Sequence, residues 1–220
     1  MPEAARHAPQ IFVLAGCNGA GKSSIGGQAF RAGGTECFDP DAAARRIAEA
    51  GAARGTVVSR FDANAAAWAQ GVRLLRRAIV ERRDYAFETT LGGDTIPRLL
   101  AEAAAAGHQL RVWFVGLESV ELHVDRVRRR VAKGGHDIPA ATIRQRFVRG
   151  RVNLIRLLPK LAQLRVYDNS TEADPDAGAA PAPFLVLHWN GGRIAGPRDL
   201  RRTPAWAKPV VAAAGRLARP

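Results

Sequence analysis

The sequence has few of the residues that cross-link small or secreted proteins. Its 220 residues include two cysteines, Cys17 and Cys37, and one methionine. Two cysteines cannot form a disulfide framework or a complete metal site, and the five histidines show no metal-ligand spacing. With 47% hydrophobic residues the chain has enough apolar surface to bury a full core without such links. These absences exclude the disulfide-stabilised and zinc-stabilised classes of protein.

Long hydrophobic runs are also missing. No stretch approaches the roughly 18 consecutive apolar residues that indicate a transmembrane helix. The first residues do not have the charged and apolar regions of a secretory signal peptide. We therefore expect a cytoplasmic protein that does not associate with membranes.

Basic residues are abundant, but only four of the 33 lysines and arginines are lysines. The formal net charge is +13, and between Arg126 and Arg165 there are twelve basic residues and one acid, Asp137. Such a segment attracts nucleotide phosphates, nucleic acid or an acidic partner. Phe147 is the only aromatic residue in it. Nucleic acid is therefore not the expected partner, since a base-stacking platform needs more aromatic side chains.

A complete phosphate-binding loop occupies residues 16–23, with the sequence Gly-Cys-Asn-Gly-Ala-Gly-Lys-Ser. It follows an apolar run at residues 11–15 and precedes a helical pattern that extends to about residue 30, which is the context this motif requires. Its backbone N–H groups and the helix N-terminus favour a bound phosphate. We predict that Lys22 contacts the β- and γ-phosphates of ATP and that Ser23 binds Mg²⁺. The predicted nucleotide-binding residues are Gly16, Asn18, Gly19, Ala20, Gly21, Lys22, Ser23 and Ser24.

Strand and helix patterns alternate along the chain. Strands are predicted at residues 11–15, 36–38, 85–88, 110–117 and 164–167, and helices at 39–53, 61–82, 94–106, 118–133 and 139–161. This alternation predicts a three-layer α/β fold with a parallel sheet. Residues 1–171 are the expected core, with a helical lid at about 118–161. Residues 172–220 are expected to form a linker, a small hairpin and a tail packed on or near that core.

Acidic side chains follow two of the predicted strands. Because the carboxyl ends of parallel strands meet at one edge of a sheet, these residues are expected to converge there. Asp41 is the predicted base that accepts a proton from a substrate hydroxyl, whereas Asp39, just before Pro40, suits a helix cap. Glu88 ends the third strand and is predicted to bind substrate together with Thr89 and Thr90.

The basic segment shows two helical stripes. Ile143, Phe147 and Leu154 belong to an apolar stripe, and a second stripe of Arg146, Arg149, Asn153, Arg156 and Lys160 is polar. Lid arginines stabilise transition-state charge and exclude water in phosphoryl transfer. Arg130 and Arg146 are the predicted catalytic arginines. His136, in the turn between the two helices, either contacts substrate or caps that turn.

In order along the chain, four groups of residues resemble the zeta toxin family beyond the generic phosphate loop. They are Phe-Asp-Pro-Asp at 38–41, Phe-Glu-Thr-Thr-Leu at 87–91, Arg-Val-Ala-Lys-Gly-Gly-His-Asp-Ile-Pro at 130–139 and Asp-Asn-Ser at 168–170. The resemblance covers roughly residues 11–170, particularly to the chromosomal zeta-like branch of the family.

The resemblance implies a P-loop kinase fold and Mg²⁺-dependent transfer of the ATP γ-phosphate. In zeta toxins the acceptor is the 3′-hydroxyl of the amino sugar of UDP-N-acetylglucosamine. The family's base matches Asp41, its substrate-contacting acid matches Glu88, and its phosphate-binding arginines lie in the lid region. The resemblance also implies an antitoxin protein as a partner.

The sequence leaves three other readings open. The first is a kinase for another small acceptor, such as a nucleoside, a sugar or an antibiotic. The second is a nucleic-acid-binding NTPase that uses the basic segment to grip phosphates. The third is a regulatory protein with a degenerate kinase fold, against which the intact Lys22, Ser23 and Asp41 argue.

Overall fold

The computed structural model describes residues 8–22, 25, 37–171 and 183–219. Its strands are β1 (Gln10–Ala15), β2 (Cys37–Phe38), β3 (Tyr85–Thr89), β4 (Gln109–Gly116), β5 (Leu161–Asp168), β6 (Phe184–Asn190) and β7 (Arg193–Gly196). Its helices are α1 (Pro40–Ala52), α2 (Arg60–Val80), α3 (Thr95–Ala105), α4 (Val120–Ala132), α5 (Ala140–Leu157) and α6 (Lys208–Leu217). Two 3₁₀ turns span Leu158–Lys160 and Ala205–Ala207. The predicted helix after the phosphate loop lies mostly outside the described residues.

The strands form one sheet in the order β2-β3-β1-β4-β5-β6-β7. The first five strands are parallel, and β6 and β7 add an antiparallel hairpin beyond β5. The predicted α/β fold with a mainly parallel sheet is confirmed. None of the helices in the described ranges is both long and apolar enough to cross a membrane.

The central strand β1 is buried on both faces. Ile11, Val13 and Ala15 join the largest core cluster, while Leu14 points to a second cluster on the opposite side of the sheet. Near-continuous apolar sequence is expected for such a strand because each face of a parallel sheet is covered by helices. The tail shares this core, since Trp206 and Val210 belong to the same cluster as Ile11.

The end of α5 differs from the prediction. A helix was expected as far as residue 161, but α5 ends at Leu157, a 3₁₀ turn follows, and β5 already begins at Leu161. Pro159 explains this early end because proline has no N–H to donate to the preceding turn of a helix.

The inward face of α2 also differs from the expected one. The sequence spacing suggests that Ala65 and Trp68 belong to a buried stripe with Leu75, but both are exposed and only Leu75 is fully buried. The first half of α2 instead packs on α1 through Ala63 and Ala67. Small side chains allow this close helix pairing, which turns Trp68 away from the core.

Candidate active site

The phosphate loop connects β1 to the helical turn at Lys22 and passes close to two other elements. Gly16 has a φ of 145°, and a Cβ there would collide with the carbonyl oxygen of Val115 in β4. At Gly19, whose φ is 79°, a Cβ would lie 2.6 Å from the carbonyl oxygen of His123 in α4. Only glycine permits both the positive φ and the close approach.

Two buried side chains hold the loop from outside. His123 Nδ1 donates a hydrogen bond to the Asn18 carbonyl oxygen at 2.8 Å, and Asn169 Nδ2 donates to the Ala20 carbonyl oxygen at 2.9 Å. His123 is 0% exposed. Asn169 follows the end of β5, at the sheet edge where ligand-site residues of parallel sheets gather, whereas no motif in the sequence points to His123.

The environment of the loop keeps the His123 imidazole and the Cys17 thiol neutral. Burial lowers the pKa of His123 to about 4, and the positive charges of Lys22, Arg126 and Arg151 act in the same direction. Burial also raises the pKa of the Cys17 thiol, whose Sγ donates to the Ile143 carbonyl oxygen at 3.4 Å. The imidazole that holds the loop is therefore uncharged at neutral pH.

Lys22 lies between the loop and the end of β3. It is only 7% exposed, and its Nζ is 3.3 Å from Glu88 Oε1 and 3.3 Å from the Cys17 carbonyl oxygen. The contact follows from the sheet order, because β1 and β3 are parallel neighbours and end side by side. A buried lysine of this kind needs acceptors for its ammonium group, and this arrangement supplies two.

Asp39 and Asp41 occupy different positions at the start of α1. Asp39 Oδ1 accepts a hydrogen bond from the Asp41 N–H at 2.8 Å, which confirms the predicted helix cap. Asp41 is half-exposed in the first turn, and its Oδ2 lies 3.9 Å from Nη1 of Arg130 in α4. The Asp41 carboxylate therefore faces a cation that comes from the opposite side of the site.

The turn between α4 and α5 folds back over α4. Arg130 Nη2 donates to the His136 carbonyl oxygen at 2.8 Å, so this arginine binds the turn as well as facing Asp41. Partial burial lowers the pKa of the His136 imidazole, although the nearby Asp41 carboxylate acts in the opposite direction. Two of the candidate functional residues of the predicted lid, Arg130 and His136, thus contact each other.

Residues 89–94 form a tight loop between β3 and α3. The Thr89 and Thr90 hydroxyls accept hydrogen bonds from the N–H groups of Leu91 and Gly92, at 3.2 and 3.3 Å. Leu91 has a φ of 54°, a left-handed conformation that costs a branched side chain about 1–2 kcal/mol. Both threonines therefore have a local structural role besides any contact with substrate.

Helix α5 fastens this loop. Asn153 Nδ2 donates to the carbonyl oxygens of Leu91 and Gly93, at 2.7 and 3.0 Å. Asn153 is thus buried, although it belongs to the polar stripe of α5. Asp94, which directly precedes α3, makes no capping hydrogen bond and instead accepts two bonds from Arg149. Its αR backbone conformation differs from the extended one of an ordinary cap.

One cleft of about 520 Å³ runs between these elements. Arg146 crosses it at one end, where its Nη1 donates to Asn18 Oδ1 at 2.9 Å. Most of the predicted site residues share the lining of this cleft: Asn18, Lys22, Asp41, Glu88, Thr89, Thr90, His136 and Arg146. The lining also includes residues that the sequence analysis did not assign to the site: Phe38, Asn64, Trp68, Thr142, Gln145 and Arg149.

The remaining predicted site residues lie beside the cleft or outside the described residues. Arg130 lies next to Asp41, which lines the cleft. The phosphate-loop residues Gly16, Gly19, Ala20 and Gly21 are neighbours of Asn18 and Lys22 in the chain. Ser23 and Ser24 lie outside the described residues. No cluster of three or more His, Cys, Asp or Glu side chains that could hold a metal occurs in the part of the chain that the structure describes. Mg²⁺ does not need one, because in phosphotransferases it is bound mainly by phosphate oxygens and water with one or two protein ligands.

Comparison with known proteins identifies the class and then the family. The fold is that of the P-loop kinases, and the site adds a phosphate-loop lysine and two strand-end carboxylates in one cleft. The sequence model of the zeta toxin family matches residues 2–174, and the chain belongs to that family.

Solved structures share the fold at low sequence identity. One is a chain of the AvrRxo1-ORF1–AvrRxo1-ORF2 complex, which was solved with sulfate ions and also with ATP. It superposes with a TM-score of 0.65 and 16% sequence identity, and the match covers 95% of this chain and 64% of that chain. A chain of the PezAT chromosomal toxin–antitoxin system of Streptococcus pneumoniae gives a TM-score of 0.53 and 14% identity, and the match covers 98% and 90% of the two chains.

A curated relative is an uncharacterized protein of Haemophilus influenzae, 27% identical over 78 residues. The match spans 36% of this chain and 56% of that protein. The chain thus matches a little over half of the length of this relative and just under two thirds of the AvrRxo1 chain.

Proposed function

We propose that this protein is an ATP- and Mg²⁺-dependent kinase that transfers the γ-phosphate to a hydroxyl group of a small molecule. The observation that carries the proposal is the meeting of Lys22, Asp41 and Glu88 in one cleft of about 520 Å³. Phosphoryl transfer requires a cradle for the phosphates, positive charge on the moving group and a residue that orients the attacking hydroxyl. Membership of the zeta toxin family and the P-loop kinase fold support the same reaction.

The phosphate loop would bind ATP. Its backbone N–H groups would donate to the phosphates, and Lys22, now paired with Glu88, would neutralise charge on the β- and γ-phosphates. Mg²⁺, held by the Ser23 hydroxyl and phosphate oxygens, would supply further positive charge. Because His123 and Asn169 fix the loop backbone, little reorganisation is required when the nucleotide binds.

Asp41 would act as the general base. The acceptor hydroxyl would give its proton to an Asp41 carboxylate oxygen while the hydroxyl oxygen bonds to the γ-phosphorus. The bond between the γ-phosphorus and the ADP oxygen would break. Arg130, 3.9 Å from Asp41, orients that carboxylate. Arg146, held by Asn18 at the loop, would stabilise the charge on the transferred group.

The lid in this proposal is smaller than the whole of residues 118–161. The second half of α5 is part of the main core, because Leu154 and Leu157 are buried there. The movable part would therefore be the turn that carries His136 together with the adjoining end of α4. Closure of this turn would exclude water from the γ-phosphate.

UDP-N-acetylglucosamine is the acceptor that the family resemblance supports, with Glu88 orienting its hydroxyl groups. An antitoxin partner belongs to the same proposal, and the pneumococcal neighbour was solved as part of a toxin–antitoxin system. Other nucleosides, sugars and antibiotics are alternative acceptors for the same chemistry.

The direct test is incubation with labelled ATP and a panel of UDP-sugars, nucleosides and free sugars, followed by identification of the labelled product. Asp41→Asn should lower kcat by about 10²–10⁴-fold, as expected for loss of a general base. Glu49→Gln, an exposed change on the same helix, is the matched control and should leave the rate unchanged. Label in none of the acceptors would refute the kinase proposal, and full activity of Asp41→Asn would refute this base.

A further inference from the structure

Trp68 is a large aromatic side chain that lines the cleft without being buried. It is 54% exposed, and it faces the same space as Asp41, Glu88 and Arg146. An exposed tryptophan on a convex surface needs no explanation, but one in the wall of a ligand-sized cleft offers a flat apolar face to whatever binds there.

The packing of α2 does not require this side chain. The helix contacts α1 through Ala63 and Ala67, and it contacts the main core through Leu75. Trp68 lies on the face that carries Leu75, two turns earlier, where the helix borders the cleft; Asn64 lies one turn before it and Gly71 and Val72 one turn after it, and all four line the cleft. The cleft wall is thus a continuous stripe of α2.

A second aromatic ring lies beside this stripe of α2. Phe38, at the end of β2, packs so closely on α2 that a Cβ at Gly71 would lie 2.8 Å from its ring. The absence of a side chain at Gly71 leaves the Phe38 ring in the lining. Two aromatic rings, Trp68 and Phe38, therefore border the same end of the cleft, and the amide of Asn64 provides both a donor and an acceptor beside them.

The described wall of the cleft belongs mainly to elements other than the phosphate loop. Within the described residues of the loop, Asn18 and Lys22 are part of the lining, whereas α2, residues 89–96 and α5 supply most of the wall. A volume of about 520 Å³ lies within the range of about 300–1,000 Å³ that accommodates small-molecule ligands. The Asp41 carboxylate suits a reacting hydroxyl, and the aromatic rings in the lining suit another part of the same molecule.

We propose that Trp68 forms a stacking subsite for a flat ring of the acceptor, which is either a nucleobase or the apolar face of a pyranose. This inference rests on the proposed function, because it assigns the cleft to the acceptor of the kinase reaction. It makes Trp68 a determinant of acceptor affinity, with no role in ATP binding.

The first test compares steady-state kinetics of three variants with UDP-N-acetylglucosamine as the acceptor. Trp68→Ala should raise the KM for the acceptor about 5- to 100-fold, the range expected for loss of one ring-stacking contact, and should leave the KM for ATP unchanged. Trp68→Phe should restore most of the affinity. Phe61→Ala is the matched control, because Phe61 lies two turns earlier on α2, is 81% exposed and does not line the cleft.

The second test measures binding without ATP. The difference in fluorescence quenching between the wild-type protein and Trp68→Phe reports on ligands that contact Trp68. UDP, N-acetylglucosamine 1-phosphate and UDP-N-acetylglucosamine are the probes. Quenching by UDP identifies the nucleobase as the stacked ring, and quenching by the sugar phosphate but not by UDP identifies the pyranose.

The outcomes separate this inference from the kinase proposal. Phosphate transfer with an unchanged acceptor KM in Trp68→Ala would overturn the stacking subsite and leave the kinase intact. Quenching by UDP-N-acetylglucosamine without any transfer of phosphate to it would support the subsite and count against the kinase proposal for this acceptor. Quenching by none of the three probes would overturn the subsite.

Discussion

The phosphate-loop side of the cleft is fixed by buried hydrogen bonds, whereas the α2 side presents exposed side chains on a helix that is packed from behind. On the first side, His123 and Asn169 each bind a loop carbonyl oxygen, and Lys22 is almost fully enclosed. On the second side, Trp68 is 54% exposed and open to the cleft, and Asn64 lies one turn before it in the same lining.

This difference follows the demands of the two ligands. A triphosphate has the same geometry in every reaction cycle, so a loop that is already ordered loses little entropy when it binds. An acceptor must enter, align its hydroxyl and leave as product, which favours a wall with fewer fixed contacts. We expect substitutions on the first side to have larger effects on kcat and on stability, and substitutions on the second side to act mainly on acceptor binding.

In the comparison of the two sides, the largest effect is expected for Lys22→Ala. Loss of the ammonium group beside Glu88 removes positive charge from the phosphate site and should lower kcat by about 10²–10³-fold. Lys208→Ala, at an exposed lysine that begins α6 and does not line the cleft, is the matched control and should retain wild-type kcat. Product formation from labelled ATP measures both, and equal rates for the two variants would contradict the assignment of Lys22.

The next effect is a pH dependence of stability that arises from His123. Its pKa in the folded protein is about 4 and therefore lies below the unfolded value, so the unfolded state binds more protons between these two values. The contribution of neutral His123 to the free energy of unfolding is fully present above pH 6.5 and is lost as the pH falls. The loss between pH 6.5 and pH 5 amounts to about 2 kcal/mol.

Urea unfolding of the wild-type protein and of His123→Gln at pH 7.5, 6.5 and 5 tests this prediction. Glutamine can still donate to the Asn18 carbonyl oxygen but does not titrate. As the pH falls, the free energy of unfolding of the wild-type protein should decrease more than that of His123→Gln. Parallel pH profiles would show that His123 is not the titrating group.

The smallest effect is expected at the mouth of the cleft. Arg149 and Asp94 form an ion pair with N–O distances of 2.6 and 2.8 Å, but their side chains are 42% and 76% exposed. A double-mutant cycle with Arg149→Gln and Asp94→Asn should give a coupling energy of only about 0.2–1 kcal/mol, because water and salt screen exposed pairs. The exposed Arg144–Glu121 pair provides a comparison away from the cleft. A coupling several times larger would show that the acceptor side is as firmly held as the nucleotide side.

Much of the fold and part of the site could be predicted because the signals are local. The phosphate loop is continuous in sequence, and Asp39 caps α1 through a bond to a residue two positions away. The strand-end positions of Asp41 and Glu88 required only the rule that parallel strands end at one edge. The helical pattern predicts an α5 that is a few residues too long, because the apolar spacing continues past Pro159 although proline ends the helix.

The supporting contacts could not be predicted in the same way. His123, Asn153 and Asn169 each bind a carbonyl oxygen that is 60 or more residues away in the sequence. The spacing of polar residues along α5 groups Asn153 with arginines and a lysine. A helical pattern does not specify which neighbouring loop covers a given face, so the contact of Asn153 with the loop at residues 91–93 could not be predicted. Trp68 shows the reverse case, an apolar residue at core spacing that the pairing of α1 and α2 leaves exposed.

Four features could be predicted from the sequence: the phosphate loop, the alternation of strands and helices, the cap at Asp39, and the carboxylates near the ends of β2 and β3. These features depend on residues that are close together in the chain or on a general property of parallel sheets. The tertiary structure alone decided that Lys22 pairs with Glu88, that an uncharged His123 supports the loop and that Trp68 opens into the cleft. Each of these depends on how distant elements pack, because packing sets the burial and the neighbours of every side chain.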